Sequence, residues 1–215
     1  MAIQKKEIIE IKRPEIVKTT IRIVGDSPLI MNRWTTKAKQ QMLDQQMGKG
    51  TKKKEPKEPV SDFIQSMYWM TPRPIEMTEE AFDAAIQDGA KFGFPVTAIK
   101  QAAISSAYRC KMSKDMVSLQ GAFFIAGAGQ EQLAEVKYNT PPHIREDMVR
   151  VMGRADIRFR GQFDNWYMDL EISYNKVSAY SLNDIISLID LGGYNCGIGE
   201  WRPENGGQNG MFHVE

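Results

Sequence analysis

The strongest constraint on this chain lies between Ala155 and Tyr174, where two alternating stretches, ADIRFR and WYMDLEISY, flank the segment GQFDN. A period of two marks a strand with one buried and one solvated face, and a five-residue turn joins two such strands into a hairpin. The pattern places Ile157, Phe159, Trp166, Met168, Leu170, Ile172 and Tyr174 inward, and Arg154, Asp156, Arg158, Arg160, Asp169 and Glu171 outward. A helix follows, capped by Ser181 and apolar at Leu182, Ile185, Ile186, Leu188 and Ile189, with Gly192-Gly193 as its expected end.

Upstream, Lys18 to Val24 alternates as a strand that Gly25-Asp26-Ser27-Pro28 stops. Thr36 to Met47 is built of helix formers behind a Thr35 or Thr36 cap, but its apolar residues are sparse, which suits a surface helix or one packed on another subunit. Helices are also expected over Val60 to Met70 and from Thr78 to Gly89. After Phe94-Pro95, the small residues of VTAIKQAAISSAYR suit a helix lying close against a sheet. GAFFIA and LAEVKY read as short strands or as one hairpin, and Tyr194 to Ile198 and Met211 to Val214 as short strands near the end.

The strong elements run strand, helix, hairpin, helix, strand, the order of an α+β, ferredoxin-like βαββαβ core. Residues 1–215 are expected to form one domain, with a helical, lysine-rich insertion over 33–90 between the first strand and the first core helix. Within it, residues 48–59 hold five lysines, two glycines, two prolines and no apolar side chain, the composition of a mobile loop.

A hydrophobic fraction of 42% and a charged fraction of 26% are ordinary for a globular protein. No apolar run reaches the roughly 18 to 20 residues of a membrane span, and MAIQKKEIIEIKRPEI lacks a signal-peptide core, so a cytoplasmic protein with no membrane partner is expected. Cys110 and Cys196 are too few for a disulfide scaffold and lack zinc spacing. The net charge is +1, but residues 1–60 carry 14 Lys/Arg against 7 Asp/Glu. That excess fits a polyanion partner or a solvated tail.

Three groups of residues are candidates for binding. Seven glycines fall between Gly192 and Gly210; Gly197 and Gly199 would let backbone approach a ligand and offer N–H groups to phosphate, beside the cation Arg202 and the ring of Trp201. A turn cluster without ligand fits the same glycines. Arg154, Arg158 and Arg160, with Arg150 and Arg145 upstream, would form a basic stripe for a phosphate backbone, or pair across strands with Asp169 and Glu171. Arg33-Trp34, Lys37, Lys39, Lys52, Lys53 and Lys54 join an aromatic to mobile cations, as single-strand binders do, or simply solubilise a loop. For catalysis the inventory is thin: His143 and His213 lie outside metal spacing, and no serine or cysteine sits in a nucleophile motif. A non-enzyme without cofactor or metal is expected.

Three segments, IRIVGDSPLIM, FPVTAIKQAA and LIDLGGYNCGIGEWRPENGGQNGMFHV, resemble the RAMP superfamily, whose members form RNA-binding backbones of CRISPR effector complexes. Through PLIMNRW, GFPVTAIKQAA, ADIRFR and CGIGEWRPE the chain is also similar to proteins of tailed phages and prophages. The resemblance implies a RAMP- or RRM-like fold, single-stranded nucleic acid as partner, a homo-oligomer assembled along the strand, and Lys100 of the PxxxxKxA-like segment among the binding residues. Two other functions suit the same features: an anti-defence protein that sequesters a host cyclic nucleotide or blocks a host immune protein, and a structural oligomer joined through Trp34, Tyr68 and Trp69.

Overall fold

A computed structural model describes residues 13–49, 56–112, 116–151 and 153–215, with Lys37, Val151 and Arg154 described by their backbone alone. The chain is α+β, and every strand pair is antiparallel. At the centre of the larger sheet, β1 (Ile16–Gly25) runs beside β9 (Trp166–Asn175), with Thr19 opposite Ile172 and Arg22 opposite Asp169. β10 (Phe212–Val214) pairs with the end of β1. The other edge of β9 is shared by β5 (Phe123–Ile125) and β6 (Leu133–Tyr138), and the sheet continues through β4 (Phe92–Pro95) to β3 (Tyr68–Trp69). A smaller sheet has the order β2 (Leu29–Met31), β8 (Arg154–Phe163), β7 (His143–Val151).

Alternation in β9 behaves as its sequence predicts: Trp166, Met168, Leu170 and Ile172 are buried. The expected hairpin does not form, however. Both strands exist, but β8 pairs with β7 and β2 while β9 pairs with β1, β5 and β6. Both edges of β9 are therefore occupied, and the chain crosses between sheets at Asp164-Asn165. Phe163 anchors that corner, with its ring 5.5 Å from Phe92 and 5.8 Å from Tyr138. The inward face assigned to β8 is displaced as well, since Ile157 is 40% exposed. β7 escaped notice because its alternation is masked by charge: HIREDMVRV carries Arg145, Glu146, Asp147 and Arg150.

Among the described helices, α2 (Pro59–Ser66) packs on β8, α3 (Glu79–Gln87) is capped by Thr78, and α4 (Val96–Arg109), followed by the short α5 (Met116–Gln120), lies beside α6 (Leu182–Asn195). The 33–90 stretch is not all surface: Phe63, Ile64, Met67 and Phe82 join the same buried cluster as Ile23, Ile99 and Ile189. The expected helix over Val60 to Met70 ends at Ser66, and Tyr68 and Trp69 become strand β3. By contrast α1 (Thr36–Gln46), capped by Thr35, has no buried residue among those described.

Ser181 forms a capping box with Asp184, as its sequence suggests, but Gly192-Gly193 do not end α6. The helix runs through them to Asn195, so Tyr194 to Ile198 is not a strand. These glycines serve close approach: a Cβ on Gly192 would lie 2.7 Å from the Ala103 nitrogen of α4, and one on Gly193 would overlap the Phe212 carbonyl of β10. In an open helix Gly→Ala stabilises by about 1 kcal/mol. Here the sign reverses, and Gly192→Ala is expected to lower stability by about 1–3 kcal/mol through forced separation of the helices. Urea unfolding reads this directly; a stabilised variant would mean that the two backbones are not in contact.

Candidate functional site

Where α4 begins, the segment after α6 folds across it and leaves an open cleft of about 230 Å³. Asn32, Tyr68, Phe94 and Gln101 line one part, and Gly199, Glu200, Arg202 and Glu204 another, with Gly197 at the base of the loop. Gly197 and Gly199 have φ of 63° and 79°, and a Cβ on Gly199 would meet the Ile30 carbonyl at 2.5 Å. The loop is bound to β2 and its neighbour through backbone: the Glu200 N–H donates to the Ile30 carbonyl (3.0 Å), and the Gly210 N–H to the Pro28 carbonyl (2.8 Å). Ile198, Glu204 and Gly207 N–H groups also donate to carbonyls of the chain. The glycines thus serve backbone-on-backbone packing, and these amides do not form the outward cradle for phosphate that their density suggested.

Arg202 is likewise occupied. Its Nε and Nη2 donate to Glu204 at 3.0 and 2.9 Å, and its Nη1 to the Gly199 carbonyl at 3.1 Å. Trp201 is different. Its φ is 53°, in the left-handed region that residues other than glycine avoid, yet the residue remains 40% exposed. The conformation is enforced: the Trp201 carbonyl accepts from the Asn209 N–H (2.9 Å), and Gly207 packs so closely on it that a Cβ there would overlap that oxygen. A strained backbone thus carries an exposed tryptophan between the cleft-lining Glu200 and Arg202.

The arginine stripe is broken by the fold. Arg160 is 2% exposed, its Nη1 donating to Asp147 Oδ2 (2.9 Å) and its Nη2 lying 3.6 Å from Glu200 Oε2; its buried Nε has no hydrogen-bond partner. Arg145 donates to the other oxygen of Asp147 (2.9 Å) and to Gln162 (2.8 Å). Burial alone raises the Asp147 pKa, but the hydrogen bonds from Arg145 and Arg160 prevail and hold it below the ordinary carboxylate value. Glu200, facing Arg160 on one oxygen, accepts from Asn32 Nδ2 (2.7 Å) on the other. A polar chain, buried at Asp147 and Arg160 and half-buried at its ends, therefore runs from β7 through β8 to the cleft wall. Arg160 is expected outside and found inside because the loop carrying Glu200 closes over that end of β8.

The remaining candidates are scattered. Arg158 lies 3.7 Å from Asp156, and Arg150, opposite Ala155, is on the other face of the sheet from Arg158. Arg154 opens β8 opposite Val151. The expected acidic partners are taken elsewhere, Asp169 by Arg22 (2.7 Å) and Lys137 (2.7 Å), and Glu171 by Lys18 (2.8 Å). Lys100 donates to the Gln120 carbonyl (2.6 Å) and sits 4.1 Å over the Phe124 ring, where burial lowers its pKa; it does not line the cleft. Arg33 pairs with Glu131 (3.1 Å), and Trp34, two residues beyond the cleft-lining Asn32, is 53% exposed. Lys37 lies on α1, Lys39 is exposed there, and Lys52, Lys53 and Lys54 lie outside the described residues, as does half of the 48–59 loop. Tyr68 and Trp69 are not exposed contacts: Trp69 Nε1 donates to the Ile64 carbonyl (2.8 Å), and its ring lies 4.6 Å from Phe92.

Of the predicted residues, then, the fold gathers Gly197, Gly199 and Arg202 at the cleft; Trp201 does not line it but sits in the chain between the lining residues Glu200 and Arg202, with Arg33-Trp34 next to the lining Asn32 and Arg160 paired to Glu200. Asn32 and Gln101 were missed, for they come from separate stretches with no shared spacing; Glu200 and Glu204 were passed over in a stretch read as an anion site, and Tyr68 was expected at a subunit contact. Among the described residues no cluster of three or more metal-ligating side chains is present, and no helix is long and apolar enough to cross a membrane.

Two measurements test this electrostatic account. Arg160→Ala should destabilise by about 3–5 kcal/mol by leaving buried Asp147 with Arg145 alone, whereas Arg160→Met with Asp147→Leu should recover most of that loss; equal losses in both variants would contradict the pairing. Asp169, held at a pKa of about 2 by hydrogen bonds from Arg22 and Lys137, stabilises the fold above the ordinary carboxylate range and loses that contribution as pH falls through about 2. Asp169→Asn should flatten the stability decline between about pH 4 and pH 2 in acid titration, and an unchanged acid limb would show that Asp169 is not linked to folding.

The chain matches no protein-family model and no curated protein.

Proposed function

We propose that this chain binds single-stranded nucleic acid across the cleft, with Trp201 as the main stacking platform and Trp34 as a second. The observation that carries this reading is Trp201: a strained, backbone-clamped residue that is nevertheless exposed. Strain of about 1–3 kcal/mol persists where the surroundings over-determine it, and such sites cluster where ligands are held. Indole faces accept any base, and Lys39 with the basic 33–57 stretch supplies cations for phosphate. At about 230 Å³ the cleft is smaller than the roughly 300–1,000 Å³ of pockets that enclose small ligands, which favours an open track over sequestration of a free nucleotide.

The fold reading belongs with this proposal. β10, β1, β9 and β5 lie in that order in the larger sheet, α4 falls between β1 and β5 in sequence, and α6 between β9 and β10. That arrangement supports a ferredoxin-like core of the RAMP or RRM kind, with β6, β7 and β8 as an excursion from it. Assembly along the strand and a phage source follow from the same resemblance.

Fluorescence anisotropy with labelled single-stranded DNA and RNA, against a duplex control, is the test. Affinity for the single strands should fall as salt rises, and Trp201→Ala should weaken it by about ten- to hundredfold. Trp201→Gly should bind as poorly as Trp201→Ala yet unfold at a stability about 1 kcal/mol higher, because glycine tolerates the left-handed backbone. No binding at about 50 mM salt would overturn the proposal.

A further inference from the structure

Two polar atoms of the cleft-lining residues are left open by the fold. Asn32 gives its Nδ2 to Glu200 Oε1 (2.7 Å), which fixes the amide and turns Oδ1 the other way, and among the described residues neither that oxygen nor the Tyr68 hydroxyl has a hydrogen-bond partner. The buried side-chain nitrogen or oxygen left without a partner among the described residues is Arg160 Nε, so Asn32 Oδ1 and Tyr68 Oη both reach solvent. Burial pushes the Tyr68 pKa up, with Glu131 and Glu200 adding to it against Arg33, so the hydroxyl keeps its proton and is a donor. Gln101 spends its Nε2 on Ser105 (3.1 Å) and keeps Oε1 as a further acceptor.

The charges around these atoms are already paired: Glu200 lies 3.6 Å from Arg160, and Glu204 2.9 Å from Arg202 and 3.3 Å from Arg109. Phosphate would set its own acceptors and charge against Asn32 Oδ1, Gln101 Oε1 and two carboxylates. An arginine or lysine side chain would have to compete with Arg160 and Arg202. A flat ring with a neutral amine beside a ring nitrogen satisfies both open atoms, the amine donating to Asn32 Oδ1 and the nitrogen accepting from Tyr68 Oη. Phe94 and Tyr68, with ring centroids 6.0 Å apart, give it an aromatic side, and the small Ala98 and Ala102 leave it room. Cytosine and adenine carry that edge. Uracil and thymine place a carbonyl where the amine would be, which leaves Asn32 Oδ1 facing another acceptor.

We propose that the cleft reads one base of the bound strand and selects an amino-bearing one, cytosine or adenine, through Asn32 Oδ1 as acceptor and Tyr68 Oη as donor. The inference rests on the nucleic-acid reading of the same cleft, and adds to it a base preference with the phosphates kept outside.

Anisotropy with labelled deoxycytidine and deoxyuridine oligomers of equal length tests it, since these bases share a ring size and differ in the edge presented. The deoxycytidine strand should bind about tenfold more tightly. Tyr68→Phe should remove most of that preference and leave the urea midpoint unchanged, because the hydroxyl has no partner in the chain. Nuclear magnetic resonance of the Asn32 and Gln101 side-chain amides should show shifts with free cytidine and none with uridine, inorganic phosphate or arginine. Equal affinities for the two strands, or a Tyr68→Phe variant that keeps the preference, would overturn the base reading and leave strand binding standing. If neither strand binds, the nucleoside titration decides: amide shifts with cytidine alone uphold the chemistry of the cleft while the strand reading fails, and silence, or equal shifts with uridine or arginine, overturns it.

Discussion

A guanidinium in a protein interior needs carboxylates around it, and Arg160 draws them from two layers. Asp147 reaches it along the same small sheet, and Glu200 from the loop that follows α6. Desolvating these groups is unfavourable by itself, so the pairing holds only while both layers stay in place. Glu200 in turn holds Asn32, and the Glu200 backbone is tied to Ile30 of β2. The wall of the cleft is thus fixed by an interaction that begins on the far side of the smaller sheet.

The glycines complete this arrangement by removing side chains where backbones must meet. Gly192 lets α6 lie on α4, Gly199 lets the loop lie on β2, and Gly207 lets Asn209 close on Trp201. Each contact places the next, and the result is a rigid loop with one exposed indole. A flexible phosphate-binding loop would leave its amides pointing outward; this loop spends most of them on itself.

Much of the fold is legible in the chain because local signals agree with tertiary demands: the Ser181 capping box, the alternation of β9, the small residues of α4. What was not legible depends on competition for partners. The hairpin failed because β1, β5 and β6 claim both edges of β9, a fact about residues up to about 150 positions away. Arg160 looked solvated because alternation in β8 reports a strand without reporting what covers each face. The site fared similarly: Trp201 and the glycines stand out by composition, but Asn32, Tyr68 and Gln101 become neighbours only through the crossing of β2, β3 and α4. Trp201 itself carried no sequence mark of its left-handed backbone, since Trp is among the residues least expected there.

In the proposed function this loop and the turn at Asn32 form one binding surface. Hydrogen exchange of the full chain with and without a single-stranded oligonucleotide examines it most directly. New protection should be confined to residues 30–34 and 196–210, with the Trp201 region protected most. Protection that falls instead on the β7–β8 sheet or on the open face around Arg22 and Tyr167, with the cleft loop unchanged, would contradict it.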